Sequence, residues 1–290
     1  MKLLYFPGCK LDDQLPAYDQ ATRAVLDLLS IELVDREMNC CGHPIRHQSF
    51  TAFLFSAARN LALAEAEGLA ILTPCKCCFG GFKHAHYWLR RKPALREGIN
   101  DRLAEEGLRW EDRSDVFHLL SLLHNLVGDK ALRAHVSSPL NNVRVAAHYG
   151  CHALRPADIT AFDNPTAPRI FEALVAITGA TPVPWSRRTE CCGNPLWEKN
   201  PRMSLALMEK KLLSARDAGA DYICSACTHC QLQFDGVRRQ HPQADPTEGK
   251  LSAIVYPQLL GLSMGLPPER LGLGPEIAPA PSAFTAHSGR

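Results

Sequence analysis

Long apolar runs are missing from this sequence, and so is an excess of charge of either sign. No stretch approaches the roughly 20 apolar residues needed to cross a bilayer, so no direct membrane span is expected. The 290 residues carry 32 Lys and Arg against 30 Asp and Glu, a formal net charge of +2. No long basic stretch interleaved with aromatics breaks that balance, which argues against nucleic acid as a partner. The opening "MKLLYFPGCKLDD" passes from a strand-like run directly into Gly8 and Cys9, without an apolar leader or a small-residue cleavage site, so a cytoplasmic location is expected. No nucleotide or flavin fingerprint occurs.

What the chain has instead is an ample core and many thiols. Hydrophobic residues make up 46% of it, enough at this length to bury a core without disulfide staples. The 12 cysteines, in a reducing compartment, are expected to serve metals or redox chemistry rather than cross-links.

The cysteines stand at 9, 40, 41, 75, 77 and 78 and again at 151, 191, 192, 224, 227 and 230, six in each half. Their neighbours repeat as well. "YFPGCK" answers "AHYGCH", "NCCGHP" answers "ECCGNP", and "PCKCCFGGF" answers "ACTHCQLQF". A period this long means two domain-sized copies rather than a solenoid. The expected units are 1–135 and 142–265, with the junction near 128–142. The stretch 266–290, rich in Pro, Ala, Gly and Ser, is expected as a flexible tail or a docking arm.

Each cluster of cysteines falls where a short apolar run gives way to a helical pattern. "KLLYF", "IELVD" and "LAILT" read as buried strands in the first copy, and "VRVAAHY", "ATPVPW" and "ADYICS" in the second. "ATRAVLDLL", "FTAFLFSAARNLALAEAEG", "FKHAHYWLRR", "PRIFEALVAITG" and "PRMSLALMEKKLLSARDAG" read as helices. The fold class is therefore α/β, with two small, mainly parallel sheets flanked by helices. Ligands in such sheets lie beyond the carboxyl ends of the strands, where Cys9, Cys75, Cys151 and Cys227 are placed.

Three chemistries compete for the thiols. Zinc wants four ligands in a closed tetrahedron, whereas each half offers a lone Cys, an adjacent pair and a C-x-x-C, leaving one thiolate over. Dithiol exchange suits the C-x-x-C pairs but gives no role to Cys9, Cys151 or the adjacent pairs. An iron–sulfur cluster in each half takes several thiolates from separate loops. Adjacent cysteines cannot readily bond to each other, but they suit a ligand several ångströms across. Gly8, Gly42, Gly150 and Gly193 adjoin these cysteines, where the backbone must approach closely.

The doubled order of lone Cys, CCG and C-x-x-C resembles the tandem cysteine-rich CCG domains of the heterodisulfide reductase B-subunit family. The likeness runs over about residues 1–262, and "CTHCQLQFD" is close to the C-terminal signature of that family. The resemblance implies two pseudo-twofold-related domains and two non-cubane [4Fe-4S] clusters. Carried over by position, Cys9, Cys40, Cys41, Cys75 and Cys78 would hold one cluster. Cys151, Cys191, Cys192, Cys227 and Cys230 would hold the other. Cys77 and Cys224 fall outside the pattern and read as small buried fillers; a persulfide carrier or alternative ligand is the sharper reading.

The implied activity is disulfide/thiol redox chemistry in the gap between the clusters, in either direction. His43, Arg46 and His152 are the candidate substrate-facing residues, and His47, Lys10, Asn194 and Lys199 are further candidates for proton donation or anion binding. Each also has the bland reading of a solvated loop residue. The implied partners are a ferredoxin-like C subunit and a flavin-containing A subunit, with a disulfide or thiol substrate that can be carrier-bound. Richness in Ala, Arg, Leu and Pro, without a fused ferredoxin-type domain, turns the expectation toward a bacterial sulfur-oxidising complex. The alternatives are a methanogen-type reductase of a coenzyme mixed disulfide and an electron-transfer subunit of a lactate, glycolate or succinate dehydrogenase-type complex.

Overall fold

A computed structural model of the chain describes residues 1–274. Eight short strands form two four-stranded sheets. β1 (Lys2–Tyr5), β2 (Glu32–Val34), β3 (Ile71–Thr73) and β4 (Val116–His118) make the first, in the order β2-β1-β3-β4. β5 (Arg144–Ala147), β6 (Thr181–Pro182), β7 (Tyr222–Ser225) and β8 (Ser252–Val255) make the second, in the matching order β6-β5-β7-β8. Every pairing is parallel. Leu4 stands beside Ile71 and Ile71 beside Val116 in one sheet, Val145 beside Tyr222 and Tyr222 beside Ser252 in the other. Parallel neighbours require a crossover, and helices supply it. Apolar central strands follow, since both faces are covered.

The sequence-predicted helices form at Pro16–Leu28, Phe50–Ala66, Lys76–Arg91, Ile170–Ile177 and Pro201–Asp217. The long helix after each CCG starts from a capping side chain. Ser49 accepts from the Ala52 amide at 3.2 Å, and Asn200 accepts from the Met203 amide at 3.0 Å. These bonds satisfy amides that would otherwise be unpaired at the helix start.

The fourth strand of each sheet escaped the sequence reading. β4 lies in "DVFHLLSLLHNLV", where the strand residues run into a helix beginning at Leu119. A short apolar run continuous with leucines has no period that separates strand from helix. β8 likewise runs directly into the helix Tyr256–Ser263.

These trailing helices join the halves reciprocally. Leu119–Leu122 packs on Ile170–Ile177 of the second half, and Tyr256–Ser263 packs on Pro16–Leu28 of the first. One apolar core therefore runs through both copies. The connector is held on the second half: the Ser137 and Ser138 amides donate to the Ser263 carbonyl, and Leu140 donates to Thr178.

The expected tail is corrected in part. Residues 266–274 pack against the first half, with Leu271 fully buried. Gln20 Nε2 donates to the Glu269 carbonyl at 2.7 Å, and Gly272 passes so close to Ala17 that a Cβ would meet it at 2.6 Å. Leucines at 271 and 273 supply the apolar anchors that the surrounding Pro and Gly obscure. The rest of that stretch, 275–290, lies outside the described residues.

Candidate metal centre

Each sheet sends three strand-to-helix turns to its carboxyl end, and each turn delivers cysteine. Cys9 follows β1, Cys40 and Cys41 follow β2, and Cys75 sits at the start of the helix Lys76–Arg91 after β3. Cys151, Cys191 with Cys192, and Cys227 repeat these places after β5, β6 and β7. After each CCG, the glycine turns the chain. Gly42 and Gly193 take φ of 77° and 98°, and a Cβ there would meet the Phe53 carbonyl at 2.8 Å or the Ser204 carbonyl at 2.7 Å. The turn thereby lies hard against the next helix, and only glycine fits.

The thiols form a continuous chain of contacts. It runs from Cys9 to Cys40, Cys41, Cys78 and Cys75 in the first half. In the second it runs from Cys151 to Cys191, Cys192, Cys230 and Cys227. Both predicted sets of five are thus brought together. They meet at the junction, where the ligand atoms of Cys75, Cys77 and Cys227 lie within 4.8 Å of one another. Cys75 Sγ also contacts Thr228 Oγ1 at 3.1 Å across the junction.

Protons are shared unevenly in each set. Hydrogen bonds from Cys40 and Cys78 hold the Cys41 thiol well below its usual range, while contact with Cys40 drives Cys9 up. Cys191 is pulled down to about 2 by hydrogen bonds from Cys151 and Cys192, and Cys227 is pulled down by Cys230 first and then Cys75. Packing thus favours the thiolate, the form that binds metal, at Cys41, Cys191 and Cys227, while it pushes up neighbours such as Cys78, Cys192 and Cys230. All five cysteines of the second set line one pocket.

Gly8 and Gly150 show how closely the backbone approaches. A Cβ on Gly8 would meet Cys78 Sγ at 3.1 Å, and one on Gly150 would meet Cys230 Sγ at 3.5 Å. Five soft donors from three loops, with glycine clearing space beside them, fit an iron–sulfur group better than a four-ligand zinc ion.

The candidate substrate-facing residues converge on the same junction. The His43 and His152 rings meet edge to face at 4.5 Å between centroids, and His152 Nδ1 lies 3.2 Å from Cys77 Sγ. Burial, then the charges of His152 and Arg46, push His43 down to about 3; burial, then Arg46, also lowers His152. Arg46 is half-buried, its Nε donating to His47 Nε2 at 3.0 Å. Asn194 binds His229 Nδ1 through Oδ1 at 2.7 Å. Lys10 is half-buried beside Cys9, whereas Lys199 is exposed.

Cys77 is buried, and its Sγ lies with those of Cys75 and Cys227. It shares the pocket of the second set, while Cys224 lies buried in β7 as a filler would.

Several residues at the site were missed. Lys76, only 1% exposed, reaches across the junction to donate to the His148 carbonyl at 3.0 Å. Lys211 is buried to the same 1% and donates to the Arg187 carbonyl. His148 is wholly buried, and among the described residues neither ring nitrogen has a hydrogen-bond partner. Burial, then the charges of Lys211 and Lys76, hold it well below the usual imidazole range. The lysine inside "CKCC" was the one available signal; the others depend on tertiary reach.

Residues 3–83 and 145–235 each match the family described as "CCG: Cysteine-rich domain". The chain is 33% identical, over 94% of its length and 92% of the relative's, to the B subunit of the ferredoxin/F(420)H(2)-dependent CoB-CoM heterodisulfide reductase of Methanosarcina acetivorans. It is 31% identical, over 95% of its length and 96% of the relative's, to the "8-methylmenaquinol:fumarate reductase membrane anchor subunit" of Wolinella succinogenes. Among the described residues no helix is long and apolar enough to cross a membrane. A hypothetical protein from Helicobacter pylori shares the fold at a TM-score of 0.74 and 16% identity, covering 93% of this chain and 50% of that one. The doubled cysteine frame, the two matching sheets and these relatives place the chain in the tandem CCG-domain family of heterodisulfide reductase B subunits.

Proposed function

We propose that the protein is the B-type iron–sulfur component of a heterodisulfide reductase-like complex, acting on a disulfide or its two thiols. The observation that carries this reading is the meeting of two complete five-cysteine sets at one junction, beside a pair of imidazoles. Cys9, Cys40, Cys41, Cys75 and Cys78 would hold one [4Fe-4S] cluster, and Cys151, Cys191, Cys192, Cys227 and Cys230 the other, both non-cubane. The units 1–135 and 142–265 would carry one each. Two such groups, each exchanging one electron, match the two electrons that separate a disulfide from two thiols.

The chain's own residues manage protons and charge. His152 and His43, largely withdrawn from water and neutral by burial, can each accept a hydrogen bond from an arriving thiol or donate one to a departing thiolate. The Arg46 guanidinium beside them suits an anionic substrate group. Burial of the junction keeps water from screening these interactions.

The complex we favour is a cytoplasmic sulfur-oxidising one with carrier-bound substrate, a ferredoxin-like C subunit and a flavin-containing A subunit. The second reading is an electron-transfer subunit of a dehydrogenase-type complex, favoured by the 31% identity to the Wolinella chain. An open gap at His43 and Arg46 that binds thiols would separate substrate chemistry from relay.

Anaerobic reconstitution with iron and sulfide analysis tests the cluster reading, followed by EPR after addition of thiols. About eight irons per chain with matching sulfide, and a paramagnetic signal induced by thiol, are expected. Stoichiometric zinc without sulfide would overturn the proposal. Clusters that never respond to thiol or disulfide would leave relay as the function.

A further inference from the structure

His148 and Phe6 occupy matching places, three residues before Cys151 and Cys9. Both point into the small space that glycine leaves behind the last cysteine of each set. The Cβ position of Gly150 lies 3.4 Å from His148 Nε2 and 3.5 Å from Cys230 Sγ. That of Gly8 lies 3.8 Å from Phe6 Cε1 and 3.1 Å from Cys78 Sγ. The first half thus offers a phenyl edge where the second offers a nitrogen.

That nitrogen has nowhere else to go. His148 packs edge to face on Phe234 at 4.9 Å and lies 6.2 Å from Trp185, rings that provide no strong acceptor. A wholly buried imidazole without a partner is costly and calls for an explanation. Nε2 and Cys230 Sγ border the same space beside Gly150, so sulfur held at the second cysteine set is the electron-rich acceptor on that side. Neither tautomer is claimed by another bond, so the N–H can be placed on Nε2.

A second, independent difference has the same sense. Lys211 follows Cys192 by 19 residues, as Asn60 follows Cys41 by 19; both are buried. The Lys211 ammonium donates to the Arg187 carbonyl and lies 5.4 Å from the Trp185 ring that also flanks His148, so the second half buries a cation where the first buries a neutral amide.

We propose that His148 donates a hydrogen bond to the iron–sulfur group held by the second cysteine set and raises its reduction potential, supported by the Lys211 cation, while Phe6 leaves the first without such a donor. This rests on the two-cluster reading. Hydrogen bonds to cluster sulfur and local charge are among the protein's levers on potential, and both act most strongly in a dry site. Exposure of Cys9 and Cys40 favours added charge at the first set by solvation, so the inference concerns what His148 contributes, not the absolute order of the two potentials. His148 acts through the cluster and is a positioning residue, not a catalytic one.

The test is an EPR-monitored potentiometric titration of the reconstituted full chain as wild type, His148→Phe, Phe6→His and Lys211→Asn. His148→Phe should lower one midpoint by about 59 mV, a tenfold change in the one-electron ratio, and leave the other in place. Lys211→Asn should lower that same midpoint, and Phe6→His should raise the other. Unmoved midpoints in His148→Phe, or equal shifts of both, would overturn the inference. Should His148→Phe fail to assemble, Lys211→Asn decides in the same way. Iron and sulfide analysis of the wild type separates the two failures. A chain without sulfide sinks the two-cluster reading and this inference with it, whereas full clusters with unmoved midpoints sink only the role of His148.

Discussion

Cys9, Cys40, Cys41, Cys75 and Cys78 stand on the same turns of the first sheet as Cys151, Cys191, Cys192, Cys227 and Cys230 on the second, yet the residues around them have diverged. Phe6 faces His148, Asn60 faces Lys211, His43 faces Asn194, and Cys77 faces His229 as positional counterparts. The helix after the C-x-x-C is regular from Lys76 to Arg91 in the first half, but after Gln231 it widens into a π-helical turn over Leu232–Val237. Duplication has kept the cysteine frame and released its setting. Two sites of one construction can then differ in potential and in proton handling, as they must if the two ends of a disulfide are not treated alike.

The comparison breaks most sharply if the two sets are really one. Cys75 and Cys227 touch at the junction, so each can be removed separately. Cys75→Ser and Cys227→Ser are each expected to lower iron from about eight to about four per chain, with sulfide falling in parallel. Loss of all iron from either variant would mean a single shared site and would end the description as two.

A smaller effect tests whether the two CCG turns are built alike. Gly42→Ala and Gly193→Ala each force a Cβ against a carbonyl of the following helix at a positive φ. Each is expected to cost about 2 kcal/mol, lowering the thermal midpoint of the loaded protein by about 4–8 °C. Gly107→Ala is the control: φ is also positive, at 70°, but no atom lies within 4 Å of the new Cβ, so about 1 kcal/mol is expected. Equal shifts in all three would show that the close approach to the helix carries no weight.

How legible these halves were in the sequence varied with the range of the interaction. The cysteine frame, six of the strands and five of the helices follow from local spacing and periodicity, because a cysteine-bearing turn or an amphipathic helix announces itself within a few residues; the helix Pro93–Leu103 was not read. β4 and β8 did not, since each runs directly into a helix. Of the substrate-facing candidates, His43 and His152 meet at the junction, whereas Lys199 stays on the surface. His148 was legible only as part of the strand "VRVAAHY", and Lys76 only as a neighbour of cysteines. Lys76 matters because it crosses to the His148 carbonyl of the other half, and His148 because tertiary packing leaves its ring buried and unpaired beside Gly150; no local pattern records either.

The smallest expected difference lies on the approach to the fourth strand, which each half fastens with an aspartate–arginine pair. Asp112 holds Arg90 at 2.7 Å in the first half, with side chains 34% and 52% exposed; Asp245 holds Arg238 at 2.6 Å in the second, with both side chains 10% exposed. Burial alone would raise both carboxyls. The close His86 ring, 3.3 Å away, and the hydrogen bonds from Arg90 overcome it at Asp112, and hydrogen bonds from Thr247 and Arg238 overcome it at Asp245, so both are held below the usual range. A depressed carboxyl contributes stability above its unfolded pKa of about 3.9 and loses it as pH falls through the folded value. Urea unfolding of the metal-free chain at pH 6 and pH 3 should therefore show a smaller acid loss in Asp245→Asn than in the wild type. Solvent screening should leave Asp112→Asn nearer the wild type, with less than about 1 kcal/mol at stake. Buried Arg238 also donates to the Leu251 carbonyl, immediately before β8, so losing Asp245 leaves a cation with fewer partners in a dry place. If Asp112→Asn instead changed the acid loss as much as Asp245→Asn, burial would not be what distinguishes the two anchors.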